Sequence, residues 1–191
     1  YFNGQACGEE PDQPTDPTPD PTPDPTPDPT PDPSPDPTPV DGAWGLNNSK
    51  SVFNFLTAKS THTVEVMTLN KLQGSVAKDG SATLAIDLNG LQTGIDIRNE
   101  RMRNFLFETN LLPMLYYNVK LDTSGFEAMA TGSTAIKSLG GALTLHGVKK
   151  AINAEVLIVK TDANNVSVST LEPVIVNSAD FDLNAGIETL R

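Results

Sequence analysis

Short apolar alternations run through most of the chain from Trp44 onward. In SVFNF (51–55), Phe53 and Phe55 share a face. In ATLAIDL (82–88), Leu84, Ile86 and Leu88 share one, with Thr83, Ala85 and Asp87 opposite. LYYNVKL (115–121) aligns Leu115, Tyr117, Val119 and Leu121, and ALTLHGV, INAEVLIV and NVSVS continue the theme. A period of two, with turn residues between the runs, is the pattern of half-buried antiparallel strands. Asp79-Gly80 predicts a hairpin turn between two such runs, and Ala163-Asn164-Asn165 predicts another turn. The predicted class is all-β, with strands of about 5–9 residues in an antiparallel barrel or sandwich.

One segment breaks that period. In IRNERMRNFLFE (97–108), Met102, Phe105 and Leu106 recur at helical spacing, Asn99 can cap, and Pro113 closes the region. This predicts a short helix over 99–107. A second segment, GGALTLHGVKK (140–150), reads as a β-hairpin. Leu143 and Leu145 point inward, Thr144 and His146 outward, and Gly147 opens the turn. Lys149 and Lys150 are then solvated turn residues, and His146 a hydrogen-bonding residue that fixes the turn.

Composition divides the chain in two. Residues 1–41 hold ten of the 24 acids and no Lys or Arg, while 42–191 hold 14 acids and all 13 bases. The net charge of −11 therefore belongs to the N-terminal part. The near-neutral remainder lacks the clustered Lys/Arg excess that meets nucleic acid or an anionic membrane surface. Within the acidic part, Asp-Pro-Thr-Pro repeats six times from Asp16 to Pro39, with Ser34 replacing Thr once. Proline at every second position excludes helix and sheet and leaves polyproline II. Residues 1–41 are thus expected to be a disordered anchor region and spacer, of which residues 11–39 reach up to roughly 90 Å at ~3.1 Å per residue. Residues 42–191 are expected to be one β-barrel domain.

The single cysteine, Cys7, excludes an internal disulfide. It precedes Gly8, two acids and the long linker, and follows Ala6. That is the pattern of a lipid-anchored bacterial lipoprotein after signal-peptide cleavage. Gly4 and Gln5 match the preceding signature poorly, and the other reading is a free surface thiol. No apolar run approaches the ~20 residues of a membrane span.

Reactive chemistry finds little support. His62 and His146 are the only histidines, and neither has neighbouring ligands at zinc-site spacing. Thr131-Gly132-Ser133 does not fit the Gly-x-Ser-x-Gly nucleophile turn. Arg98, Arg101 and Arg103 cluster around the predicted helix. They either meet a polar headgroup at a cavity mouth or pair with Glu100, Glu108 or loop carbonyls and hold the helix down. The inward apolar residues Phe53, Phe55, Leu84, Ile86, Leu88, Tyr117, Val119, Leu143 and Leu145 fill the interior in any case. Their pattern leaves open whether that interior is a packed core or a lined cavity.

From Trp44 the chain resembles the YceI family, the lipocalin-like polyisoprenoid-binding barrels of bacteria. The likeness rests on SKSVFNF, LQGSV, ATLAIDLNGLQTGIDIRNERMRNFLFE, GGALTLHGVKKAINAEV and NSADFDLNAGI, in the family's order across nearly all of 44–190. TGIDIRNERMRNFLF and LTLHGVKK are the most specific of these. The resemblance implies an eight-stranded antiparallel lipocalin-like barrel with a small helical excursion. It implies an apolar cavity in which the nine inward residues bind a long isoprenoid or similar amphiphilic lipid. It further implies a periplasmic or envelope location, with the outer membrane favoured for an anchor on Cys7. No catalytic residue, metal or cofactor follows from it, and the oligomeric state stays open, a dimer included. The alternative is a structural or adhesive surface lipoprotein with a filled core. Two departures stand out. Lys59 occupies a place where many members have histidine. The family also continues into one more strand after the Asp-Phe segment, so a truncated chain or a missing closing strand is expected.

Overall fold

The computed structural model describes residues 42–59 and 63–191. Cys7, the Asp-Pro-Thr-Pro repeat and His62 lie outside the described residues. Ten strands form among those described: β1 (Gly42–Gly45), β2 (Phe53–Lys59), β3 (Thr63–Leu69), β4 (Leu72–Ala77), β5 (Ser81–Asp87), β6 (Leu91–Gln92), β7 (Met114–Lys120), β8 (Thr134–Leu145), β9 (Val148–Lys160) and β10 (Val166–Thr170). Three short α-helices accompany them: α1 (Asp96–Arg101), α2 (Thr123–Glu127) and α3 (Asn184–Leu190). The architecture is the expected antiparallel, lipocalin-like β fold. Its strands divide differently from a single eight-stranded barrel. Seven form one curled sheet in the order β1-β4-β5-β7-β8-β9-β10, and β2, β3 and β6 form a second, three-stranded sheet.

Local chemistry explains the turns. Between β4 and β5, Gly80 takes φ of +84°, and an added Cβ would meet the Leu121 carbonyl. The Asp162 carboxylate accepts from the Asn164 amide at 2.8 Å and pins the β9–β10 turn. The β8–β9 hairpin closes on two residues, His146 (φ +51°) and Gly147 (φ +75°). Positive φ at both centres is the requirement of a type I′ turn, whose twist matches the flanking strands. Lys149 and Lys150 are therefore not turn residues. They lie in β9, opposite Thr144 and Leu143. A two-residue turn leaves no room for them.

The helical excursion also differs from its expected span. It begins at Asp96, and after Arg101 it widens into a π turn over Met102–Leu106. Asn99 does not cap it. Asn99 is buried inside α1, and its side-chain oxygen accepts from the Thr93 amide at 2.9 Å and the Thr93 hydroxyl at 2.7 Å. The side chain thus ties the helix back to the loop before it. After Phe181 comes α3, which docks on the π turn so closely that a Cβ on Gly186 would collide with the Phe105 carbonyl oxygen.

Two separate apolar clusters form on the inner side. The larger holds Leu69, Leu72, Ile86, Leu88, Leu91, Met102, Leu106, Phe107, Leu115, Leu143, Leu145, Phe181 and Leu183, with Met67. The smaller joins Ala154, Val156 and Ile158 of β9 to Phe126 and Met129 near α2.

Candidate functional site

Direct antiparallel partners share a face, so the register of the large sheet can be followed from strand to strand as rows. One row is Leu72–Ile86–Leu115, and all three are buried. The next is Gly74–Leu84–Tyr117–Leu143–Lys150, in which only Leu143 is buried and Lys150 is exposed. The third runs across six strands as Trp44–Val76–Ala82–Val119–Gly141–Ile152, and every member is half-buried. The inner face is thus sealed at one end and becomes accessible, while remaining apolar, two rows away.

The nine predicted lining residues fall on this gradient. Ile86 and Leu88 (0% and 1% exposed) and Leu143 and Leu145 are buried in the large cluster. Phe53, Phe55, Leu84 and Tyr117 pack against that cluster while half-buried, and Val119 belongs to the third row. Phe55 meets Phe107 edge-on at 6.3 Å between centroids. Four of the nine are therefore packed core, and five are half-buried.

Tyr117 shows how the sequence shapes that surface. Its hydroxyl donates to the Leu139 carbonyl at 2.7 Å, and burial pushes its pKa up. A Cβ on Gly141 would lie 2.7 Å from the Tyr117 ring and 2.6 Å from the Asn118 carbonyl oxygen. Glycine at 141 lets the ring lie against the β8 backbone rather than project inward.

The gradient ends at a contact that the strand pattern does not announce. The ammonium of Lys160, at the end of β9, sits 5.0 Å from the centre of the Trp44 ring on β1. Lys160 is 4% exposed and is the one charged side chain buried among the described residues. Its parity continues Ile152, Ala154, Val156 and Ile158, so it too faces inward. A β9 residue reaches a β1 residue because the sheet curls until its two sides meet.

The sealed end carries the polar groups that looked reactive. The His146 Nε2 lies 2.8 Å from the Glu108 carboxylate, and its Nδ1 lies 3.2 Å from the Phe181 carbonyl. The ring joins the β8–β9 turn to two other segments. It acts as the hydrogen-bonding residue expected, but it is only 13% exposed and not turned to solvent. Glu108, His146 and Asp182 are the three non-glycine residues with positive φ among those described. All three line a recess of about 220 Å³ with Phe105 and Gly186. Ligand pockets usually measure about 300–1,000 Å³ and are mainly apolar, so this recess does not suit a long lipid.

The three arginines diverge. Arg98 donates to Glu65 at 2.7 Å and to the Thr93 carbonyl at 3.1 Å. Arg101 donates to the Thr189 carbonyl, and Arg103 to that of Asn89. Loop carbonyls are the partners foreseen, but the paired carboxylate is Glu65, not Glu100 or Glu108. Each arginine fastens a different segment to the helix, and together they form no headgroup site. Sequence reading missed Lys160 and Trp44, although extending the inward parity of β9 by one step would have placed Lys160 inside.

The family model of the YceI-like domain matches residues 44–190. Among solved structures, the chain is similar to a polyisoprenoid binding domain from Saccharophagus degradans implicated in plant cell wall breakdown. The two are 36% identical, with a TM-score of 0.76, over 78% of this chain and 86% of that one. It also shares its fold with BcnA of Burkholderia cenocepacia, at 18% identity and a TM-score of 0.57, over 72% of this chain and 84% of that one. No curated protein matches the sequence.

Proposed function

Because the chain belongs to the YceI-like domain family, we propose that its barrel takes up an isoprenoid or other long-chain amphiphilic lipid along the open rows of the inner face. The observation that carries this reading is the half-buried row from Trp44 to Ile152, an apolar surface left uncovered inside the fold. A hydrocarbon chain laid on it gains about 25 cal/mol for each Å² of apolar surface withdrawn from water. The 36% identity to a polyisoprenoid binding domain supports the same ligand class. Binding of this kind needs no reactive group, and the reading assigns no catalytic residue.

In this reading the domain works at the cell envelope. A lipid on Cys7 holds it, and the Asp-Pro-Thr-Pro repeat spaces it from the membrane. The support is the sequence pattern alone. Mass analysis of the N-terminal peptide, with Cys7→Ser as control, checks the anchor separately from the ligand.

The test of the main reading is organic extraction of the purified full chain, followed by mass spectrometry and by titration of emptied protein with a polyprenol. One lipid chain per barrel, restored on titration, is the expected result. A barrel that yields no lipid and binds no polyprenol would favour the filled-core structural role instead.

A further inference from the structure

We propose that Phe126 and Met129, in the segment joining β7 to β8, form a stop that sets how long a lipid chain the interior takes. This deepens the function proposed above and rests on it. Both residues belong to the smaller apolar cluster, not to the larger one that seals the interior.

The floor of the open rows does not end at Ile152. On β9 the inward parity runs on through Ala154, Val156 and Ile158, and Leu139 of β8 lies opposite Ala154 on the same face. At about 3.3 Å per residue this apolar track continues roughly 20 Å from Ile152 to Ile158. Yet Ala154, Val156 and Ile158 are buried, whereas Ile152 is half-buried. Packed against the three are Phe126, Met129, Leu139, Val166 and Val174. Leu139 and Val166 are part of the sheet itself, so the cover comes from the β7–β8 segment and Val174. Phe126 and Met129 thus stand on the track that a chain lying in the open rows would next follow.

The segment is placed by its ends as well as by these two side chains. The Leu121 amide donates to the Gly80 carbonyl, and the Gly132 amide to the Lys160 carbonyl, each at 2.7 Å. Lys137 of β8 attracts the Asp122 carboxylate just before α2. With the path of the segment held in this way, the bulk at 126 and 129 decides how much of the track stays free. Both side chains are only half-buried. Trimming them uncovers floor on β9 and leaves the large cluster at the sealed end untouched.

Trp44 is the single tryptophan and opens the third row, so its fluorescence reports on chains bound there. The full chain, freed of lipid, is titrated with polyprenols lengthened one isoprene unit at a time. Wild-type affinity should rise with each unit and stop rising at a definite length. In the double variant Phe126→Ala with Met129→Ala, that break should move to longer chains. The first lengths beyond the wild-type break should bind the variant at least about tenfold more tightly than the wild type, the scale of two buried methylenes. Phe126→Trp should move the break to shorter chains. The same break in all three proteins, or a loss of affinity by one factor at every length, would overturn the stop and leave lipid binding standing. Wild-type binding at no length would overturn both the stop and the function it rests on. Should the double variant fail to fold, Phe126→Leu decides. A smaller shift toward longer chains would support the stop, and an unchanged break would overturn it.

Discussion

The row Leu72–Ile86–Leu115 and the row Trp44–Val76–Ala82–Val119–Gly141–Ile152 lie on the same face of the same sheet. Both are apolar or small throughout, yet the first is sealed and the second is accessible. What differs is the cover. Over the first row lie Met67 and Leu69 of β3, Leu106 of the π turn with Phe107 beside it, and Phe181 and Leu183, all in one cluster. None of the second row belongs to that buried set, and only Ile152 packs against it. Alternation within a strand therefore states which way a side chain points. It does not state whether anything arrives to meet it.

The strongest challenge to this contrast is to delete matter from the sealed row. Ile86→Ala should cost about 2–5 kcal/mol through lost burial and a residual cavity. Urea unfolding would show it, while lipid uptake per folded molecule should stay near that of the parent. A loss of binding larger than the loss of folded protein would mean that the sealed end also holds ligand.

The polar fastening of the sealed end comes next. His146→Ala removes both ring contacts and should cost about 1–3 kcal/mol. His146→Gly should recover roughly 1 kcal/mol of that, since glycine carries no penalty at positive φ. Melting temperatures of the two variants separate the side-chain bonds from the turn geometry.

At the open row the expectation reverses. Val119→Trp adds bulk where space exists, so stability should stay within about 1 kcal/mol of the parent, below the overpacking cost of a filled core. Polyprenol titration should nevertheless show most binding lost. A large fall in stability with binding intact would show this row to be packed after all.

The smallest effect concerns Asp87, which follows Ile86 at the sealed end. Burial acts to raise its pKa, but hydrogen bonds from the Asn89 amide and side chain, with the Lys71 ammonium, outweigh it and lower the value. A lowered folded pKa stabilises above the unfolded value of about 3.9 and loses that contribution as pH falls through the folded value. The wild type should exceed Asp87→Asn by under about 1 kcal/mol at neutral pH. The gap should close below about pH 4, read from melting temperatures at stepped pH.

How legible all this is from sequence varies by region, and for physical reasons. ATLAIDL and LYYNVKL display their inward faces directly, because Thr83, Asp87 and Asn118 mark the opposite face as polar, although Ala85 and Tyr116 on that face are buried as well. THTVEVMTL is ambiguous, since Val64 and Val66 stay exposed while Met67 and Leu69 are buried. With apolar residues on both faces, parity has no contrast to read. The π turn escapes a helical pattern because one inserted residue shifts the period after Arg101. The split of the nine lining residues into core and open surface depends on covering segments far away in sequence, such as Phe181 and Leu183. The Trp44–Lys160 contact depends on curvature summed over the whole sheet, which no single strand encodes.

That contact also bears on the order in which the chain folds. The β8–β9 hairpin joins strands of 12 and 13 residues through two turn residues, so its pairing is local and needs little chain to be gathered. Hairpins of this kind form in roughly 1–10 μs. Bringing β1 against β9 encloses most of the domain in one loop, and such long-range closures are slow. The hairpin can then serve as the early template, with the seam as the final event. Tryptophan emission, arising only at that seam, marks completion of folding rather than its onset.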